Sequence, residues 1–234
     1  MATYDLEQQE QLDQLKAFWK QYGNLITWLL VALMGAYAAW TGYLYWQQQQ
    51  AQGAAGLYEE LDRGALAGDA TKVNQALADL KAKYPGTTFA QQGALLAARA
   101  DLARKSPADA IAALQWLAKD GKSPELVAIA RLRLAGVLMD DKKFDEALKA
   151  MDAEFPPEFT AAVADRKGDI LMGQGKKDEA VKAYQQAYQG MTEDLEYRRF
   201  IEGKLTALGQ APEAAVAKAP AGAAVDASPA ASAH

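Results

Sequence analysis

The 234-residue chain has no cysteine and one histidine, His234, at its last position. A zinc or copper centre is left without its usual ligands. No disulfide framework exists, so reducing and oxidising compartments are equally compatible. There is no phosphate-cradling glycine loop; the glycines fall in turns and at helix packing points. The formal net charge is −5, the wrong sign for a nucleic-acid partner. Carboxylates are plentiful, but Glu146, Asp178 and Glu179 lie on polar, turn-adjacent faces with no second catalytic group beside them. These absences point away from an enzyme, a cofactor, a metal site and a small-molecule substrate.

Charge itself is missing between Gln21 and Tyr58. Within that run Leu25–Trp46 is apolar, and at about 1.5 Å per helical residue it reaches across the roughly 30 Å of a bilayer core. Aromatic rings cluster at its two ends: Phe18, Trp19, Tyr22 and Trp28, then Trp40, Tyr43, Tyr45 and Trp46. Such belts suit the headgroup zone, where a ring can keep an apolar body in lipid and a polar tip in water. A cleaved signal peptide fits poorly, because the head is long and acidic (Asp5, Glu7, Glu10, Asp13) and the apolar run too extended. Lys16 and Lys20 precede the span and only Arg63 follows at comparable distance, which favours a cytoplasmic head. Inside the span Ala32, Gly35, Ala36, Ala39 and Gly42 fall on one helical stripe, a candidate surface for docking a second membrane helix.

Strand signals are missing from about 54 to 208. Valine and isoleucine are sparse, and Ala, Leu, Lys, Glu and Gln dominate. Apolar residues recur at three and four, as in Leu126, Ala130, Leu134, Val137 and Leu138. Ser106-Pro107 and Ser123-Pro124 read as capped helix starts. Lys83-Tyr84-Pro85-Gly86 and Phe155-Pro156-Pro157 read as stops. Together these marks predict helices over 54–66, 70–84, 88–104, 107–119, 124–139, 143–153, 158–173 and 177–189, with a ninth near 192–208. The first should run on from the span with little or no break.

Small residues twelve apart recur: Gly64 and Ala76, Ala98 and Ala110, Ala135 and Ala147, Gly168 and Ala180. A helix hairpin repeating near 34 residues is the tetratricopeptide period. The expected fold class is all-α: one N-terminal transmembrane helix, then a tetratricopeptide-like right-handed solenoid of about four hairpins with a capping helix. The expected domains are a 1–24 cytoplasmic segment, a 25–46 span, a 47–208 tetratricopeptide-like domain on the far side of the membrane and a 209–234 tail. The Ala/Pro-rich tail has too little apolar surface to offset chain entropy and is expected to be disordered. In stacked hairpins the first helices line the binding side. Register then singles out Gln92, Leu95, Arg99, Leu102, Ile129, Leu132, Met139, Asp165, Asp169 and Met172 as a candidate partner-binding groove.

The head DLEQQEQLDQLKAFWKQYGN, the single span and the phrases ARLRLAGVLMDDKKFDEALKAMD and DRKGDILMGQGKKDEAVKAYQQA resemble the YfgM-type ancillary subunits of the SecYEG translocon. The resemblance covers about 1–208. It implies a Gram-negative inner-membrane protein with a cytoplasmic N-terminus and a periplasmic body. It also implies association with the SecYEG translocon and with a membrane-anchored periplasmic prolyl isomerase chaperone, in handing over exported proteins. The alternative is a membrane-anchored repeat scaffold or regulator of envelope or division complexes that never meets exported clients.

Overall fold

Residues 3–191 and 196–210 are described in a computed structural model, and every regular element among them is helical. The elements are α1 (Thr3–Ala67), α2 (Ala70–Lys83), α3 (Thr88–Ala103), α4 (Pro107–Asp120), α5 (Pro124–Asp140), α6 (Phe144–Ala150), α7 (Thr160–Gly173), α8 (Lys177–Gln189) and α9 (Glu196–Ala207). One 3-10 turn, Pro157–Phe159, precedes α7. The chain divides into two compact units, Met1–Gly56 and Leu57–His234. The expected tail and the start of the ninth helix, 211–234 and 192–195, lie outside the described residues.

The first unit is built on α1. Along its apolar run the side chains are bare: Leu25, Trp28, Met34, Tyr37, Trp40 and Trp46 are each more than half exposed. A window of 18 residues within Lys16–Ala67 has mean hydropathy 1.5 and is 0% buried. Bare apolar surface on that scale is costly in water and free of cost in lipid, so the helix fits a membrane anchor and not a core helix. Two threonine hydroxyls inside it are satisfied locally, as lipid demands. Thr27 Oγ1 donates to the Gly23 carbonyl at 2.8 Å, and Thr41 Oγ1 to that of Tyr37 at 3.0 Å.

The second unit stacks hairpins: the end of α1 with α2, then α3–α4, α5–α6 and α7–α8, with α9 against α8. Each hairpin packs on the next, and first helices also meet one another, α3 with α5 and α5 with α7. That nearest-neighbour pattern is the mark of a solenoid. The small residues expected at the close approaches are all buried, from Ala76 and Ala98 to Ala180, with Gly64 and Gly168. A β-carbon built on Gly64 would lie 3.0 Å from Lys72 Cβ.

One turn ends the first helix of every hairpin. The amides of Asp69, Ser106, Lys143 and Lys176 donate to the carbonyls of Gly64, Asp101, Leu138 and Leu171 at 2.8–2.9 Å. The residue before each donor is left-handed: Gly68, Lys105, Lys142 and Gly175, with φ of 68°, 60°, 59° and 78°. This is the six-to-one helix stop that satisfies the orphan carbonyls of the last turn.

Helix starts differ from expectation in one place. Ser123 caps α5, accepting from the Leu126 amide at 3.3 Å. Ser106 does not cap α4; its ψ of 72° is not the extended cap conformation, and its hydroxyl donates to Asp109 Oδ2 at 2.7 Å instead. Asp69 and Thr87 cap α2 and α3. α6 is shorter than the expected 143–153. Beyond it the chain is held off the helical path, with Asp152 paired to Lys167 at 3.0 Å and the Glu154 carbonyl held by Arg131 at 2.8 Å.

Candidate interaction surfaces

The shared turn gives a common register for the predicted strip. Leu95, Leu132 and Asp165 occupy one position, six residues before the accepting carbonyl; Leu102, Met139 and Met172 occupy another, one residue after it. Gln92 pairs with Ile129 in the same sense, and Arg99 with Asp169. Gln92, Arg99 and Leu102 are exposed, while Leu95, Ile129, Leu132, Met139, Asp169 and Met172 are half-buried. Asp165 is only 2% exposed. The strip therefore runs from open in α3 to covered in α7.

The cover is α9. Its Ile201 and Leu205 are buried against the apolar cluster of Ala164, Leu171, Tyr184 and Ala187. Beside that cluster sits a charge-balanced lock. Lys204 Nζ donates to Asp165 Oδ1 at 2.8 Å and to Asp169 Oδ1 at 2.5 Å. Tyr197 donates to Asp165 Oδ2 at 2.5 Å, Tyr184 to Asp169 Oδ1 at 2.9 Å, and Arg166 lies 3.9 Å from Asp169 Oδ2. Two carboxylates thus meet two cations, and hydroxyls fill remaining lone pairs, as buried charge requires. Burial first, and then donation to Asp169, holds the Tyr184 hydroxyl far above the usual phenol range. Burial and Asp165 do the same for Tyr197.

The other candidate surface lies in the first unit. Ala32, Gly35, Ala36, Ala39 and Gly42 are all exposed, and a β-carbon built on Gly35 or Gly42 meets nothing within 4 Å. No group of three or more His, Cys, Asp or Glu side chains among the described residues is placed to hold a metal ion.

Residues 16–210 match the tetratricopeptide repeat-like domain family. A relative from Neisseria gonorrhoeae (strain ATCC 700825 / FA 1090), named "Ancillary SecYEG translocon subunit", is 32% identical over 212 residues, covering 89% of this chain and 100% of that one. The chain belongs to the YfgM-type ancillary SecYEG translocon subunit family.

Three side chains of this family member were not singled out by sequence pattern. Gln91, 2% exposed, accepts from the amides of Lys122 and Ser123, each at 2.9 Å, and so ties α3 to the α4–α5 turn. Arg131 does a related job from α5, donating to the carbonyls of Glu154 and Ala118 at 2.8 and 3.3 Å. Asp101 is 1% exposed and pairs with Arg104, at the register where later hairpins carry Leu138 and Leu171. Burial raises its carboxyl above the ordinary range, and Arg104 offsets part of that rise.

Proposed function

We propose that this protein is a membrane-anchored scaffold of the Sec export channel that links the channel to periplasmic chaperones by protein–protein binding. In this reading residues 1–24 are cytoplasmic, 25–46 cross the inner membrane, and the domain to residue 208 works in the periplasm. The partners are SecYEG, a membrane-anchored periplasmic prolyl isomerase chaperone, and exported chains in transit, with the lipid bilayer around the span. One observation carries the proposal: an exposed apolar helix and a repeat domain stand in one chain that is 32% identical to a whole translocon subunit. The Lys16 and Lys20 flank supports the orientation. The Leu102, Met139 and Met172 row supports loose capture of varied segments, because methionine adapts its shape.

Photo-crosslinkers at Gly35 and Ala39 in the span, and at Leu102 and Met139 in the strip, test this in intact membranes. Adducts to the channel from the span and to chaperones or emerging chains from the strip are expected. Adducts only to envelope-building proteins would overturn the export role. Leucine at Gly35 or Ala39 should weaken co-purification of the membrane partner. Leu132→Asp with Met139→Asp, in a chain that keeps its helical circular dichroism, should reduce capture through the body.

A further inference from the structure

The turn register that places the strip also places its charge. Arg99 and Asp169 of the strip lie two residues before the carbonyl that accepts the turn hydrogen bond. Arg133 and Arg166 lie five residues before it, one helical turn from that position and so on the same face. A β-carbon built on Gly136 of α5 would stand 3.7 Å from Nη1 of Arg166 of α7. Gly136 is two residues before its accepting carbonyl, Leu138, and Arg166 five before Leu171. An arginine at the five-before place therefore reaches back over the two-before place of the preceding hairpin. One hairpin earlier the same register sets Arg133 of α5 toward Arg99 of α3.

The two junctions differ in what meets the cation. Arg166 has an acid three residues on, Asp169, at 3.9 Å. Arg133 has Gly136 at that place, and Arg99 has Leu102. Both arginines are exposed, and neither has an ion-pair or side-chain hydrogen-bond partner among the described residues. Acids at these registers stand only on the flanking helices, Glu59 and Asp62 at the end of α1 and Asp165 and Asp169 on α7. In a chain of net charge −5, the open part of the strip thus carries two bare cations beside Leu102, Leu132 and Met139.

We propose that the strip across α3 and α5 takes an extended segment of a partner protein that carries carboxylate side chains among apolar ones. Arg99 and Arg133 hold the carboxylates, and Leu132 and Met139 meet the apolar groups. Two neighbouring guanidinium groups repel one another when the strip is empty, and an anion between them relieves that repulsion. The planar fork of arginine also matches a carboxylate in two parallel hydrogen bonds. The rest of this acidic molecule repels such a segment, so its attraction is local to the strip. The inference rests on the strip being a capture surface and adds the charge of what is captured.

The test uses the full chain in neutral detergent and a dye-labelled peptide of alternating Glu and Leu, blocked at both ends so that no terminal carboxylate takes part. Fluorescence anisotropy is expected to show it held about five- to tenfold more tightly than the same peptide with Gln for Glu, the scale of two exposed ion pairs. The difference should shrink as salt rises. Arg99→Ala with Arg133→Ala should erase it, in a chain whose helical circular dichroism is unchanged. Lys149→Ala with Lys182→Ala, the same loss of charge on second helices, should leave it intact. Arg99→Glu with Arg133→Glu should turn the preference toward a peptide with Lys for Glu. Equal affinity of the parent for the Glu and Gln peptides overturns the proposal and leaves capture by the strip in place. A preference that survives loss of both arginines puts the acid-binding groups elsewhere and overturns it as well. Failure of every peptide to bind the parent removes capture by the strip along with it.

Discussion

Gly168 on α7 lies directly beneath the ring of Tyr184 on α8, so that a β-carbon built on Gly168 would stand 2.5 Å from the ring's Cε1. The ring cannot swing clear, because its hydroxyl is bonded to Asp169 at 2.9 Å. Gly168→Ala is therefore expected to destabilise the domain by about 1–3 kcal/mol, overpacking outweighing alanine's better helix propensity. Gly136 on α5 is the contrast. Its added β-carbon would meet only Arg166, at an ordinary 3.7 Å. Gly136→Ala should stabilise by up to about 1 kcal/mol. Urea denaturation of the two variants, read against the parent, checks both signs.

The α9 lock predicts a pH response. Asp165 is nearly dry, and Lys204 is its cation at 2.8 Å. Lys204→Met leaves that carboxylate to Tyr197 alone. The expected loss is about 2–4 kcal/mol, below the full cost of orphaning a buried charge because the Lys204 side chain keeps 19% of its exposure. Burial and the neighbouring carboxylates raise the folded-state pKa of Tyr184 and Tyr197. A raised folded pKa gives stability that is whole below the unfolded value, about 10, and is lost as pH climbs above it. Denaturation midpoints should therefore fall between about pH 10 and 11 more steeply in the parent than in the Tyr184→Phe, Tyr197→Phe double variant.

The hairpin turns give a prediction about backbone alone. Lys105 and Lys142 hold φ near 60°, a conformation that costs a residue with a β-carbon roughly 1 kcal/mol. Glycine fills the same place at Gly68 and Gly175. Lys142→Gly should stabilise by about 0.5–1 kcal/mol, and Gly175→Ala should destabilise by a similar amount. Thermal unfolding of both variants measures the pair, and a stabilising Gly175→Ala would remove the turn from the account.

How much of this was legible in the sequence follows from where each signal is stored. Helix limits were readable because proline, glycine and capping hydroxyls act on their own neighbours, as at Ser123 and Pro124. The same dipeptide at Ser106 misled, since Asp109 competes for the hydroxyl and ψ leaves the cap region. Lys105 and Lys142 gave no warning of a left-handed turn, because lysine carries none; only the register of the repeat exposes them. Asp165 looked like a groove residue by position and is instead dry beneath α9. Its partners Tyr197 and Lys204 lie 32 and 39 residues away, beyond the reach of any local pattern. Leu102, Met139 and Met172 share one register position, each directly after the carbonyl that accepts the turn hydrogen bond, because the repeat period alone sets that register.

Gln91 shows what such long-range polar contacts do for a repeat protein. Its Oε1 accepts two backbone amides, those of Lys122 and Ser123, while its Nε2 donates to the Thr87 carbonyl at 3.3 Å. One side chain thus fixes the start of α5 relative to α3, and α5 carries the middle of the strip. Gln91→Leu keeps the volume but removes the acceptor from both amides. The expected cost is about 1–3 kcal/mol, the penalty for polar groups left without partners. Gln91→Glu keeps the acceptor oxygens and should lose less, despite the burial of its charge, because two N–H groups point at the carboxylate. The effect should also be local. Hydrogen exchange in Gln91→Leu should accelerate at Lys122–Val127 before it does in α7–α9, since each hairpin is held by its neighbours and not by the whole. Uniform acceleration across the domain would instead mean that the hairpins open as one cooperative body, and that Gln91 contributes to global stability alone.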